Sequence, residues 1–197
     1  MVSRRAFLRG GSLAGLASVM PVARAQFHPG AALGTAAPFE AVCDTRRPEG
    51  DAFLGAVSSR AFRSHGVGAD PGAVLGVVAE ATAAGRLILG LTSPSTLMIA
   101  RQVAATHGYG LVFHGEHAAQ ADGRPSHRLH GDEAWLPALA ELMQRSPDAW
   151  PTLLGRTLVG LPADRECGAT QSVTCAQRSA HDAGAQLASW VLAPVRA

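Results

Sequence analysis

Arg86-Leu-Ile-Leu-Gly-Leu91 is a continuous apolar run, and Thr92-Ser93-Pro94 follows it directly. Apolar residues without polar alternation are expected of a strand covered on both faces. A hydroxyl residue followed by proline is the chemistry of a helix start, the hydroxyl accepting a backbone N–H and the proline sitting where no amide is needed. Leu97, Met98, Ala100 and Val103 then recur at helical spacing until His107-Gly108, and Tyr109 to Phe113 reads as the next strand. Strand, capped helix, strand is the repeating unit of an α/β fold.

The same alternation extends in both directions. Upstream, Phe39 to Cys43 predicts a first strand, and Asp44-Thr-Arg-Arg-Pro48 leads into a helix carrying Phe53, Leu54, Val57 and Phe62. Arg63 to Ala69 predicts a weak second strand, and Asp70-Pro71 caps a helix through Val74, Val77 and Val78 to a stop at Gly85. Downstream, a polar turn around Asp122-Gly123 predicts that Ser126 to His130 returns antiparallel to the preceding strand. Asp132-Glu133 then opens a helix with Trp135, Leu136, Leu139 and Leu142. Pro147, Pro151 and Pro162 break up the next stretch, with a strand expected at Thr157 to Leu161 and a terminal one at Leu187 to Leu192. The expectation is a single α/β domain over 39–197, a sandwich with a mostly parallel sheet flanked by helices and an antiparallel hairpin at one edge.

The opening run Ser3-Arg4-Arg5-Ala6-Phe7-Leu8 precedes a short, mildly apolar stretch and then Ala23-Arg24-Ala25. The order of basic start, apolar middle and small-x-small site is that of a secretory signal, with the cut expected after Ala25 and 26–38 as a leader lacking periodicity. With Arg4, Arg5, Phe7 and Leu8 at their spacing, the segment resembles the twin-arginine class of signals. In composition and layout the whole chain resembles small, uncharacterised twin-arginine-exported α/β proteins of high-GC bacteria. That resemblance implies the twin-arginine export machinery as a partner, a periplasmic or secreted location, and passage through the membrane already folded. It further implies that a periplasmic redox enzyme subunit is a candidate partner.

Composition narrows the chemistry. All 17 basic residues of the 197 are arginine, so Schiff-base chemistry, lysine-anchored cofactors and the lysine of a Walker-type loop are excluded. Without residues 1–25, which carry four arginines and no acid, the formal charge falls from +2 to −2. A nucleic-acid partner then has no compositional support. No Gly-x-Gly-x-x-Gly follows any expected strand, which argues against a nicotinamide dinucleotide. No apolar stretch of the mature chain reaches the length of a transmembrane segment.

Ligands of open α/β sheets sit beyond the carboxyl ends of the strands. By that rule the candidate ligand-binding residues are Asp44 and Arg46, Thr92 and Ser93, and His114 and Glu116. An acid, an arginine, helix-capping hydroxyls and a histidine suit a small anion or acid-base work. Gly90-Leu-Thr-Ser93-Pro departs from the Gly-x-Ser-x-Gly nucleophile elbow, and its simpler reading is a helix cap. The alternative function to a small-ligand or metal-binding accessory protein is a periplasmic enzyme with its site at these strand ends, either a hydrolase with His181-Asp182 as distant partners or a metal-dependent activity.

The densest cluster is His114-Gly-Glu-His117 with His127-Arg-Leu-His130, four of the eight histidines within one predicted hairpin. Pairing about a turn near Asp122 sets His114 opposite His130 and His117 opposite His127, and the alternation of side chains puts the two pairs on opposite faces. A four-histidine centre is therefore incompatible with a regular hairpin. His114, Glu116 and His130 remain as metal candidates, and imidazole with carboxylate suits a divalent metal such as zinc, copper or nickel. Cys167 and Cys175 flank a short loop and are expected to form a disulfide in an oxidising compartment, leaving Cys43 buried in the first strand.

Overall fold

The computed structural model describes residues 38–160, 169–174 and 186–195, with 169–174 described by backbone alone. The expected signal, the leader up to residue 37, the Cys167–Cys175 pair and His181-Asp182 lie outside the described residues. The strands are β1 (Phe39–Asp44), β2 (Arg63–Val67), β3 (Leu87–Thr92), β4 (Tyr109–Ala119), β5 (Pro125–Gly131), β6 (Ala169–Thr174) and β7 (Gln186–Pro194). The α-helices among the described residues are α1 (Pro48–Val57), α2 (Val74–Ala83), α3 (Pro94–Thr106), α4 (Leu136–Arg145) and α5 (Trp150–Leu158), and none of these is long and apolar enough to cross a membrane.

All seven strands form one sheet in the order β2-β1-β3-β7-β4-β5-β6. The α/β class holds, but the sheet is not mostly parallel: β1 pairs parallel with β2 and β3, and the other four pairings are antiparallel. The reason is β7. Strands β3 and β4 run the same way and are joined through α3, as the alternation predicted, yet they are not neighbours. The later strand β7 lies between them, antiparallel to both. The β4–β5 hairpin and β6 then continue the antiparallel half.

The first half is wound in both directions from β1. A strand-helix-strand crossover is right-handed, so a step from β1 to β2 and a step back across to β3 must place their helices on opposite faces. Accordingly α1 packs with α4 and α5 over one face, whose core contains Cys43, Phe53, Leu91, Phe113, Leu129 and Trp150. On the other face α2 and α3 cover Val42, Ile88, Leu97, Ala188, Trp190 and Leu192. As its composition requires, β3 is buried along its whole length.

Gly90 explains how β7 can fit beside β3. It pairs with Trp190, and a Cβ there would lie 2.2 Å from the indole ring, so glycine is the residue that lets the ring lie flat on β3. The buried indole N–H donates to the Thr92 hydroxyl at 3.0 Å. Three local expectations change. Thr157 and Leu158 end α5 instead of forming a strand, because Trp150, Leu154, Thr157 and Leu158 bury one helical face. Residues 169–174 pair with β5 as a strand, not a loop. Phe62 lies beyond the end of α1, exposed beneath the Arg86 guanidinium.

Candidate metal centre and ligand cleft

The site begins with the hairpin register. His114 stands opposite His130, Glu116 opposite Arg128 and His117 opposite His127, the pairing expected from the positions of the four histidines about the turn. Gly123 supplies the positive φ, +78°, that the turn needs. Alternation then divides the cluster between the faces of the sheet.

On the α3 face, His114, Glu116 and His130 each offer one ligand atom, all within 4.8 Å of one another. The two imidazoles stack at 5.7 Å between centroids and 13° between planes. Tetrahedral ligands about 2.0–2.1 Å from zinc lie about 3.3 Å apart, so modest side-chain rotation would gather the three donors without moving the backbone. Partial burial lowers the His114 pKa; Glu116 opposes this, while His130 and Arg101 add to it. His114 is therefore held in the neutral form that binds metal. Glu116 also faces Arg128 across the strands at 3.7 Å, with both side chains more than half exposed, so this pair contributes little to stability.

His114 and Glu116 line a cleft of about 910 Å³ between the hairpin and α3. The helix presents Pro94, Leu97, Met98 and Arg101 along one stripe, spaced as neighbouring turns require. Helix α4 packs against β5 and β6 from the opposite side of the sheet, so the wall beside the three donors is α3 alone among the described helices.

Through the sheet, His117 and His127 are buried. His117 Nδ1 lies 2.8 Å from His127 Nδ1, and its Nε2 lies 2.7 Å from the Ser189 hydroxyl. Trp150 stacks on His117 at 4.3 Å. Burial, reinforced by His127 and His114, holds the His117 pKa well below that of a free histidine, so the group is neutral. Gly115 makes room for this network: a Cβ there would meet Ser189 Oγ at 2.4 Å and His117 Nε2 at 2.9 Å. Gly115, between the two candidate ligands on β4, thus admits the His117–Ser189 hydrogen bond that joins β4 to β7 on the other face.

The remaining candidates are placed apart from the cleft and engaged locally. Asp44, buried at the end of β1, accepts from Arg46 Nε at 2.9 Å and from its Nη2 at 2.7 Å. Burial raises the Asp44 pKa, but these hydrogen bonds and the Arg46 charge outweigh it and hold the carboxyl below its usual value. Thr92 receives the Trp190 indole bond. Ser93 caps α3, its hydroxyl accepting from the Thr96 amide at 3.2 Å and bonding the Ser95 and Thr96 hydroxyls at 2.9 Å. Asp44, Thr92 and Glu116 lie on one row of the sheet, but β3 and β7 stand between Asp44 and Glu116.

Cys43 is buried, and burial pushes its thiol up to about 12. Sequence reading gave Arg101 no role and took Met98 only as an apolar helix position, although the 94, 97, 98, 101 spacing puts both on the stripe that lines the cleft. Ser189 and Trp150 could not be found that way, because their partners are distant in the chain. Comparison with protein-family models, curated proteins and solved structures finds no match to this chain.

Proposed function

We propose that the chain is an exported α/β accessory module that binds one divalent transition metal through His114, Glu116 and His130 and presents it in the α3 cleft. The observation that carries this reading is the grouping of two imidazoles and a carboxylate on one face of a register-fixed hairpin, with two of the three, His114 and Glu116, lining an open cleft. His114 and His130 would supply nitrogen and Glu116 oxygen, a donor set suited to zinc, nickel or copper. Export rests on the Arg4-Arg5 signal and the Ala23-x-Ala25 cut, and service to a periplasmic redox enzyme is part of the same proposal. A metal-dependent activity is the second reading, favoured because three protein donors leave coordination positions open toward the cleft.

The test is metal analysis of protein recovered after export and equilibrated with zinc, nickel or copper. One equivalent per chain is expected, falling below a tenth of an equivalent in His114→Ala and in His130→Ala. His107→Ala, at the end of α3, serves as the control. Stoichiometry unchanged by either ligand substitution would refute the site.

A further inference from the structure

We infer that the metal-loaded cleft takes a second ligand: a small molecule with an oxyanion head, carboxylate or phosphate, on an apolar body. This rests on the metal-binding reading above and adds to it the chemistry of what the metal meets.

Charge is the first argument. Among the described lining residues, Arg101 and Arg128 are cationic and Glu116 is the one carboxylate. The lining is therefore about +1 before metal binding and about +3 with a divalent ion in place. Glu116 turned toward the metal gives less counter-charge to Arg128, and no carboxylate pairs with Arg101 among the described residues. A cleft partly walled by protein focuses such a field, so an anion is the natural complement.

Geometry fixes where the anion sits. Arg101 on α3 lines the same cleft as His114 and Glu116 on β4, so its guanidinium and the centre border one space. One oxyanion oxygen would occupy an open metal position and another would accept from Arg101, in the planar manner guanidinium groups favour. Shape fixes the remainder of the molecule. Pro94, Leu97 and Met98 on α3 and Leu111 on β4 form an apolar strip beside Arg101, and Met98 is 65% exposed at its lip. A bare inorganic anion would leave that strip wet, whereas an apolar body would cover it.

The experiment uses the exported chain loaded with cobalt(II), whose visible absorption reports changes in coordination. Benzoate and phenylphosphonate are titrated against acetate and inorganic phosphate. Either aromatic anion is expected to change the spectrum saturably and to bind about 10-fold or more tightly than its small counterpart. Which of the two binds better identifies the head group. Arg101→Gln should weaken the aromatic anion about 10-fold. Arg145→Gln, on α4 across the sheet, should leave its affinity unchanged. Cobalt that binds one per chain, with a spectrum that none of the four anions alters, would overturn this inference and leave the metal reading standing. An anion effect insensitive to Arg101→Gln would also overturn it. Failure of cobalt to bind at all would remove both.

Discussion

Gly90→Ala tests the packing that joins the two halves of the sheet. The new Cβ would sit 2.2 Å from Cε2 and Cζ2 of Trp190, whereas carbon atoms rest about 3.5–4.0 Å apart. The indole must therefore retreat by roughly 1.5 Å from a position with no solvent exposure. Overpacking of this kind costs about 1–3 kcal/mol. Moving the ring also breaks its bond to Thr92, worth about 0.5–1.5 kcal/mol, so the combined loss is about 2–4 kcal/mol. With a urea m-value of about 2 kcal/mol/M, the unfolding midpoint should fall by about 1–2 M. Far-ultraviolet circular dichroism measures this without relying on tryptophan emission. Trp190→Leu relieves the clash, so the double variant should lose less stability than the two single variants together. A Gly90→Ala midpoint within about 0.25 M of the parent, or strict additivity in the double variant, would show that Trp190 does not lie on Gly90.

Stability should also fall on mild acidification. His117 titrates far below its unfolded value of about 6.5, so below that pH the unfolded chain takes up a proton the folded chain refuses. The contribution is intact above about pH 6.5 and should decline by up to about 1.4 kcal/mol per pH unit beneath it. Urea midpoints at pH 7.5, 6.5 and 5.5 measure this, and a midpoint constant across the series would contradict it. In a more acidic range, Asp44 contributes stability above its unfolded value of about 3.8 that is lost as pH falls through its lower folded value. Arg46→Gln should move the acid-unfolding midpoint to higher pH, and no displacement would mean the Asp44–Arg46 bonds do not lower the carboxyl. Gly115→Ala drives a Cβ against Ser189 and His117, and should both destabilise the chain by about 1–3 kcal/mol and weaken metal retention. Equilibrium dialysis read beside unfolding curves tests the pair of effects. The Cys43 thiol should resist a disulfide reagent at pH 8 in the native chain and react within minutes in urea, and fast native labelling would contradict its burial.

What could be read from the sequence follows from how local the physics is. The β4–β5 register needs one turn and strict alternation, so the positions of four histidines were enough to pair them and to separate their faces. The Ser93 cap, Pro94 at the first turn and the doubly covered β3 are equally local. Strand order was not local. Nothing in Leu87 to Thr92 announces that its second neighbour is Gln186 to Pro194, and Gly90, which does, has meaning only once Trp190 is known to lie there. Residues 169–174, Ala-Thr-Gln-Ser-Val-Thr, lack the apolar alternation of a half-buried strand, and the flanking cysteines drew attention to a loop instead. Of the candidate site, the hairpin donors were legible because they are close in sequence. Arg101 and the apolar strip joined them only when α3 folded across the sheet.

The insertion of β7 has a consequence for how the chain is made. Strands β1 to β3 and the β4–β5 hairpin can each form from contacts between nearby segments, but the two assemblies share an edge only through residues 186–194. A nascent chain that has not yet passed residue 194 carries two unpaired strand edges, on β3 and on β4, and such edges template aggregation. Pairing β3 with β7 closes a loop of roughly a hundred residues, the kind of distant contact that slows folding. The proposed metal ligands on β4 gain their β7 backing, and the cleft its β7 residues, only when that strand is in place. On the proposed metal and export readings, completion of the sheet and completion of the centre are one event, and an export route that accepts only folded cargo would be reading both at once.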